Sequence, residues 1–239
     1  MTTAIETNCW DTFNEVIAAG VKRLILFGPP GTGKTYSALH TALRHGQESW
    51  RLTCTDDMTQ MEVTGGFMPQ ADGTFGYLEG PAVKARKAGG RLVVDEIDKA
   101  GGDVFATLLN MTDSDESAMW ENPLTGEKTT PARGYTVIMT TNVEQIEELP
   151  AALIDRFPVR LRIDRPHPSA LMTLPYEWRG YADRMADAGS ERMSLRLFQS
   201  LHQLSVQMGE EKAAQLILGP RAEAFLTAIK VDKMEQMIG

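Results

Sequence analysis

Apolar positions in this chain follow two different rhythms. Up to about residue 164, short apolar runs at 22–27, 50–54, 91–95, 135–140 and 159–163 alternate with amphipathic stretches. Runs of that length, bounded by Gly, Pro or charge, suit strands buried on both faces of a parallel sheet. The stretches between them predict helices over 10–19, 34–45, 81–89, 103–111 and 150–157. Trp10, Phe13, Val16 and Ile17 share one face of the first, Gly46 closes the second and Pro81 opens the third. Residues 55–80 are rich in Gly, Thr, Met and Asp, with turn signals at Gly65-Gly66 and Asp72-Gly73, and Leu124 to Glu127 reads as the tip of a hairpin insert. Arg165-Pro166-His167-Pro168 then punctuates the chain, and only helical spacing follows, at 169–187, 194–208, 210–218 and 221–237. The pattern predicts an α/β fold with a parallel five-stranded sheet over residues 1–164, followed by a small all-helical domain over 165–239.

Composition narrows the picture only a little. The 239 residues are 42% hydrophobic and carry 24 basic against 32 acidic side chains, a net charge of −8. That balance favours solubility and argues against a broad phosphate-binding face, though not against a local basic pore in an oligomer. Cys9 and Cys54 have no paired or metal-type spacing, so two free thiols in a reducing compartment are expected. The polar start and the lack of a long apolar run point away from a signal peptide or a membrane span, so the expected location is cytoplasmic.

The chemistry sits at the strand ends. Gly28-Pro29-Pro30-Gly31-Thr32-Gly33-Lys34-Thr35 fits G-x-x-x-x-G-K-[ST] between a predicted strand and a predicted helix, with Tyr36 next in line. Its glycines let backbone N–H groups wrap a phosphate at a helix N-terminus; Lys34 would reach the β- and γ-phosphates and Thr35 would hold Mg²⁺. The predicted fold is therefore that of a P-loop NTPase binding ATP and Mg²⁺. Leu92-Val93-Val94 leads into Asp95 and Glu96, suited to a metal contact and to a general base for water. Thr140-Thr141-Asn142 ends the fourth strand, where Asn142 can orient water or touch the γ-phosphate. Asp155-Arg156-Phe157 ends a short helix, placing Arg156 at the domain edge as a candidate arginine finger. Ser194-Leu195-Arg196 opens a helix of the second domain, with Ser194 as N-cap and Arg196 a candidate to read the phosphates in cis.

Together these residues resemble the AAA+ superfamily, and within it the MoxR-like branch, which includes the CbbQ/NirQ activators and the cobalt-chelatase motor subunit and has the dynein-related domains as relatives. GPPGTGKT (28–35) is similar to its Walker A, and LVVDEIDKA (92–100) to its Walker B stretch, with Asp98 and Lys99 where the branch has Asn and Arg. VIMTTN (137–142) resembles the sensor 1 strand, LPAALIDRF (149–157) the finger helix and SLR (194–196) the sensor 2 motif. Glu62 to Gly80 looks like the loop this branch inserts into its second helix, and Glu121 to Gly134 fits the hairpin insert before sensor 1.

The resemblance implies an ATPase working as a homo-oligomeric ring, usually a hexamer, with Arg156 completing the neighbour's site. It implies a protein client or adaptor, often one with a von Willebrand A domain, contacted through the inserts, where Met58, Met61, Phe67 and Met68 offer adaptable apolar surface. A second reading is a nucleic-acid-directed motor, with basic residues at 84, 86, 87, 91 and 99 lining a pore. A third is a slow ATP-dependent switch or assembly scaffold.

Overall fold

The computed structural model describes residues 8–41, 43, 46–113 and 118–238. Five strands, β1 (Arg23–Phe27), β2 (Ser49–Thr53), β5 (Arg91–Asp95), β8 (Thr136–Thr140) and β9 (Val159–Arg162), form one sheet in the order β2-β5-β8-β1-β9. Every pairing in it is parallel. The remaining strands make two small antiparallel pairs, β3 (Gly65–Pro69) with β4 (Phe75–Glu79) and β6 (Trp120–Glu121) with β7 (Lys128–Thr129).

Side-chain alternation along the central strands splits the core into two layers. Leu24, Leu26, Val93 and Ile138 face one way and bury against Trp10 and Phe13 of α1 (Cys9–Ala18) and Ala38 of α2 (Lys34–His40). Ile25, Leu92, Val94, Val137 and Met139 face the other way. There they meet α3 (Gln60–Thr64), α4 (Pro81–Ala88), α5 (Gly102–Met111) and α6 (Ala151–Arg156), through Val63, Val83, Leu108 and Leu153. Each fully buried Ile or Leu contributes about 1.5–3 kcal/mol, so the sheet is fixed from both sides, as the unbroken apolar runs require.

The helical part holds α7 (Pro168–Leu171), α8 (Tyr176–Arg184), α9 (Leu195–Met208), α10 (Glu210–Leu218) and α11 (Ala222–Ile238). Its core is aromatic: the Trp178 and Phe225 rings meet edge to face at 5.4 Å, with Phe198 beside them. The helix expected over 169–187 is broken between α7 and α8, because Pro175 has no N–H to give and instead serves as N-cap of α8. The helix expected over 34–45 ends at His40, and positions 42, 44 and 45 of that expectation lie outside the described residues.

By its contacts the chain divides into two compact units, residues 1–29 with 34–163 and residues 30–33 with 164–239. Among the described residues no helix is long and apolar enough to cross a membrane.

Candidate functional site

The strand order decides where the chemistry collects. β1 lies between β8 and β9, and β5 lies beyond β8, so the C-terminal ends of β1, β8 and β5 stand side by side. Loops leaving such an edge carry the ligand sites of open α/β sheets. Gly28 follows β1, Thr141 and Asn142 follow β8, and Asp95 ends β5. Gly28 has φ +113, and a Cβ there would lie 2.9 Å from the Ile163 carbonyl oxygen, so only glycine lets the loop leave the strand at this angle. Gly31 and Gly33 also take positive φ, at 76° and 106°.

Lys34 is 5% exposed, and its ammonium donates to the Gly28 oxygen at 2.7 Å, the Pro29 oxygen at 2.8 Å and Asn142 Oδ1 at 3.1 Å. Lys34 and Asn142, 108 residues apart in sequence, are thus brought into one cluster. Thr35 Oγ1 donates to Asp95 Oδ1 at 2.7 Å, and Thr140 Oγ1 donates to the same oxygen. Arg51 Nη2 donates to Asp95 Oδ2 at 2.5 Å. Burial alone would push the Asp95 carboxyl up, but the hydrogen bonds from Thr140, Thr35 and Arg51, and the Arg51 charge, outweigh it and hold the group below its ordinary range. An anionic carboxylate beside the Thr35 hydroxyl is the oxygen-rich donor set that a hard divalent cation takes.

Glu96 is the one non-glycine residue at positive φ among the described residues, with φ 57 and ψ 46. A left-handed glutamate costs on the order of 1–2 kcal/mol, and such strain gathers at functional sites. Its Oε2 accepts from Lys99 Nζ at 2.7 Å across the 3₁₀ turn Ile97–Lys99. Asp98 of the same turn accepts from Thr141 Oγ1 at 2.6 Å, tying this turn to the end of β8. Buried Cys54 reports the carboxylates around it: burial first, then Asp95, Asp98 and Glu96, push its thiol up to about 12.

The other sequence candidates make contacts of their own. Arg156, in the last turn of α6, donates from Nε to Asp113 Oδ2 at 3.2 Å and from Nη1 to the Ala152 oxygen at 3.0 Å. Arg196 is exposed in the first turn of α9, whose N-cap Ser194 accepts from the Leu197 N–H at 3.3 Å. Pro30, Thr32 and the glycines at 31 and 33 form the loop between β1 and α2, and Thr32 is 1% exposed. Tyr36 is 64% exposed on α2, its ring 4.6 Å from that of His40.

Two basic residues offered to a pore are not at the surface. Arg86 is fully buried and donates to the Ala118 and Thr129 carbonyls, fastening α4 to the segment that carries β6 and β7. Arg91 is 2% exposed and donates to the Ala38 and Thr41 carbonyls at 2.9 and 2.7 Å, at the C-terminal end of α2. The stretch 55–80 is an ordered element, α3 followed by the β3–β4 hairpin, with Met61, Phe67 and Met68 exposed and Met58 packed on the core. Sequence reasoning gave no role to Arg51, Thr140 or Asp113; of the three only Thr140 carries a sequence signal, as the last residue of an apolar strand.

Residues 23–157, more than half of the chain, match the family model described as AAA domain (dynein-related subfamily). The chain is 28% identical over 158 residues to protein NorQ of Paracoccus denitrificans, an alignment covering 65% of this chain and 57% of NorQ. It is 27% identical over 199 residues to the denitrification regulatory protein NirQ of Stutzerimonas stutzeri, covering 82% and 69%. It is 26% identical over 241 residues to an uncharacterized protein of Staphylococcus epidermidis, covering 88% and 90%. NorQ and NirQ are therefore spanned over little more than half to two thirds of their own lengths. With a P-loop, an Asp-Glu pair and a polar strand end gathered at one sheet edge, and with this match across the sheet, the chain belongs to the dynein-related subfamily of AAA domains.

Proposed function

We propose that the chain binds ATP with Mg²⁺ on the loop from Gly28 to Thr35 and hydrolyses it at subunit interfaces of a ring, to remodel or activate a partner protein. The observation that carries the reading is the convergence of Lys34, Asn142, Thr35 and Asp95 at one edge of the sheet. Thr35 and Asp95 would hold Mg²⁺, which when bound neutralises charge on the β- and γ-phosphates. Lys34 turns its ammonium from the Gly28 and Pro29 carbonyls to the phosphates. Glu96 takes a proton from the attacking water, and Asn142 orients that water. Arg196 keeps the γ-phosphate-reading role that the SLR resemblance gives it.

Arg156 is the candidate finger for a neighbouring subunit. It sits at a helix end, 30% exposed and paired with Asp113. A finger supplied in trans raises phosphoryl transfer by about 10³–10⁵-fold. The client surface is assigned to the β3–β4 hairpin, which exposes Phe67, Met68, Phe75 and Leu78. The burial of Arg86 and Arg91 weakens the nucleic-acid reading, since both guanidiniums are spent on backbone carbonyls.

The test is ATP turnover per subunit across protein concentration, for the wild type, Glu96→Gln and Arg156→Ala, with GTP as a control. The reading requires turnover per subunit to rise as subunits assemble. Arg156→Ala must remove it while ATP still binds. Turnover that is independent of concentration and indifferent to Arg156→Ala would sink the shared-site ring.

A further inference from the structure

Arg51 is outside every motif of the site, yet its Nη2 lies 2.5 Å from Asp95 Oδ2. The register explains the reach. β2 runs parallel to β5 with Arg51 beside Val93 and Thr53 beside Asp95, so Arg51 stands one pleat repeat below the carboxylate. Because side chains alternate, Arg51 shares the sheet face of Asp95 and of α2, while Leu52 is buried on the other face. A long side chain at that position spans the gap, and a short one would not. β2 is an edge strand, so the guanidinium keeps 50% of its side chain in solvent and is free to leave.

The two oxygens of Asp95 are divided. Oδ1 accepts from Thr35 and Thr140, which come from the P-loop helix and the middle of the sheet. Oδ2 faces the edge and accepts from Arg51. A structural role for this pair is weak, because a half-exposed ion pair is worth only about 0–1 kcal/mol. Its position is what gives it consequence: a fixed positive charge sits on the carboxylate that a divalent cation has to use.

We propose that Arg51 is an internal cation that holds Asp95 and opposes Mg²⁺ entering with nucleotide, so that Arg51 sets how strongly the metal assists nucleotide binding. The proposal rests on the reading of Asp95 as the metal-side carboxylate. Arg51 acts through Asp95, so it is a positioning residue.

The sign follows from linkage. Mg²⁺ and nucleotide each raise the other's affinity by a common factor. Arg51 lowers that factor, since its charge opposes the metal and its bond draws on the same carboxylate. The measurement is the affinity of a fluorescent ADP analogue in Mg²⁺ and in EDTA, taken as a ratio, which needs no turnover. Complexation of metal by nucleotide in solution is the same for every variant and cancels in the comparison.

Arg51→Met is expected to raise the ratio about three- to fivefold, the factor that matches a half-exposed ion pair. Arg51→Lys, which keeps the charge, is expected to stay near the wild type. Asp95→Asn is expected to bring the ratio down towards one. An Arg51→Met ratio equal to or below the wild type, with Asp95→Asn collapsed, overturns the proposal alone. An Asp95→Asn variant that keeps the wild-type ratio removes Asp95 from the metal site, and overturns the proposal together with that reading. Far-UV circular dichroism of each variant confirms that the fold is intact.

Discussion

Replacing Arg91 by Met tests whether the P-loop helix is held from its far end. α2 has only seven residues, with Lys34 and Thr35 in its first turn. Its last turn leaves carbonyls without intrahelical partners, and Arg91 Nη1 donates to those of Ala38 and Thr41 at 2.9 and 2.7 Å. A hydrogen bond from a charged donor contributes about 1.5–3 kcal/mol. Methionine loses both bonds but also removes the cost of burying a guanidinium, a cost visible in the way burial pulls the Arg91 pKa down to about 10. The net expectation is a loss of about 3 kcal/mol. For a chain of this size that is a fall of about 6–12 °C in Tm. Denaturant unfolding gives the free energy directly, and a fluorescent nucleotide reports the site. Affinity should fall with stability, because β5 carries Arg91 at one end and Asp95 at the other, so the same strand sets both ends of α2. Arg91→Lys, a single point charge, should land between the two. A Met variant within about 1 kcal/mol of the wild type, or one that loses stability with nucleotide affinity unchanged, would refute the reasoning.

Four further outcomes are expected. Gly28→Ala forces a left-handed backbone and a Cβ against the Ile163 carbonyl; it should cost about 2 kcal/mol or more in chemical denaturation and abolish nucleotide binding. Cys54 should resist a thiol reagent at pH 8 in the native protein and react once unfolded. Its thiol ionises near 9.0 in the unfolded chain but only near about 12 in the fold, so its stabilisation is whole below pH 9 and lost as pH rises towards 12, and Cys54→Ala should flatten that alkaline limb of a stability–pH curve. Glu96→Gly removes the left-handed strain and should raise unfolding stability by about 1 kcal/mol while eliminating turnover. Asp113→Ala frees Arg156 from a partly exposed pair; it should change stability by less than about 1 kcal/mol and raise turnover in the concentration series.

Periodicity and motif spacing made the sheet legible, because buried parallel strands are apolar throughout and their ends are marked by Gly, Pro or charge. Leu24 to Leu26 and Leu92 to Val94 are buried as such runs require. The segment 55–80 was harder. Its hairpin pairs Phe67 with Tyr77 and Met68 with Gly76, but both faces carry apolar residues, so no alternation separates inside from outside. The basic residues were harder still. Arg86 and Arg91 look like surface charge in a sequence, and only three-dimensional placement shows carbonyls waiting for them. Arg51 reads as one polar position on an edge strand, since the sequence does not state that β2 pairs with β5 so that Arg51 falls two residues before Thr53, the partner of Asp95.

These pairings share a logic that bears on how the site rests. Lys34 is held by Asn142 and two loop carbonyls, Asp95 by Arg51, Glu96 by Lys99, and Arg156 by Asp113. Each of these four charges has a partner in the chain itself. A buried ammonium or carboxylate without one would cost several kcal/mol, and these pairings offset that cost. The partners are not alike. Lys34 is itself 5% exposed and two of its partners, Gly28 and Pro29, are buried, whereas Arg51 and Lys99 keep about half of their side chains in solvent and leave at little cost. The carboxylates are therefore the easily released half of the site and Lys34 the firmly held half. Metal and water access at Asp95 and Glu96 should respond to Arg51 and Lys99 substitutions well before phosphate binding at Lys34 does.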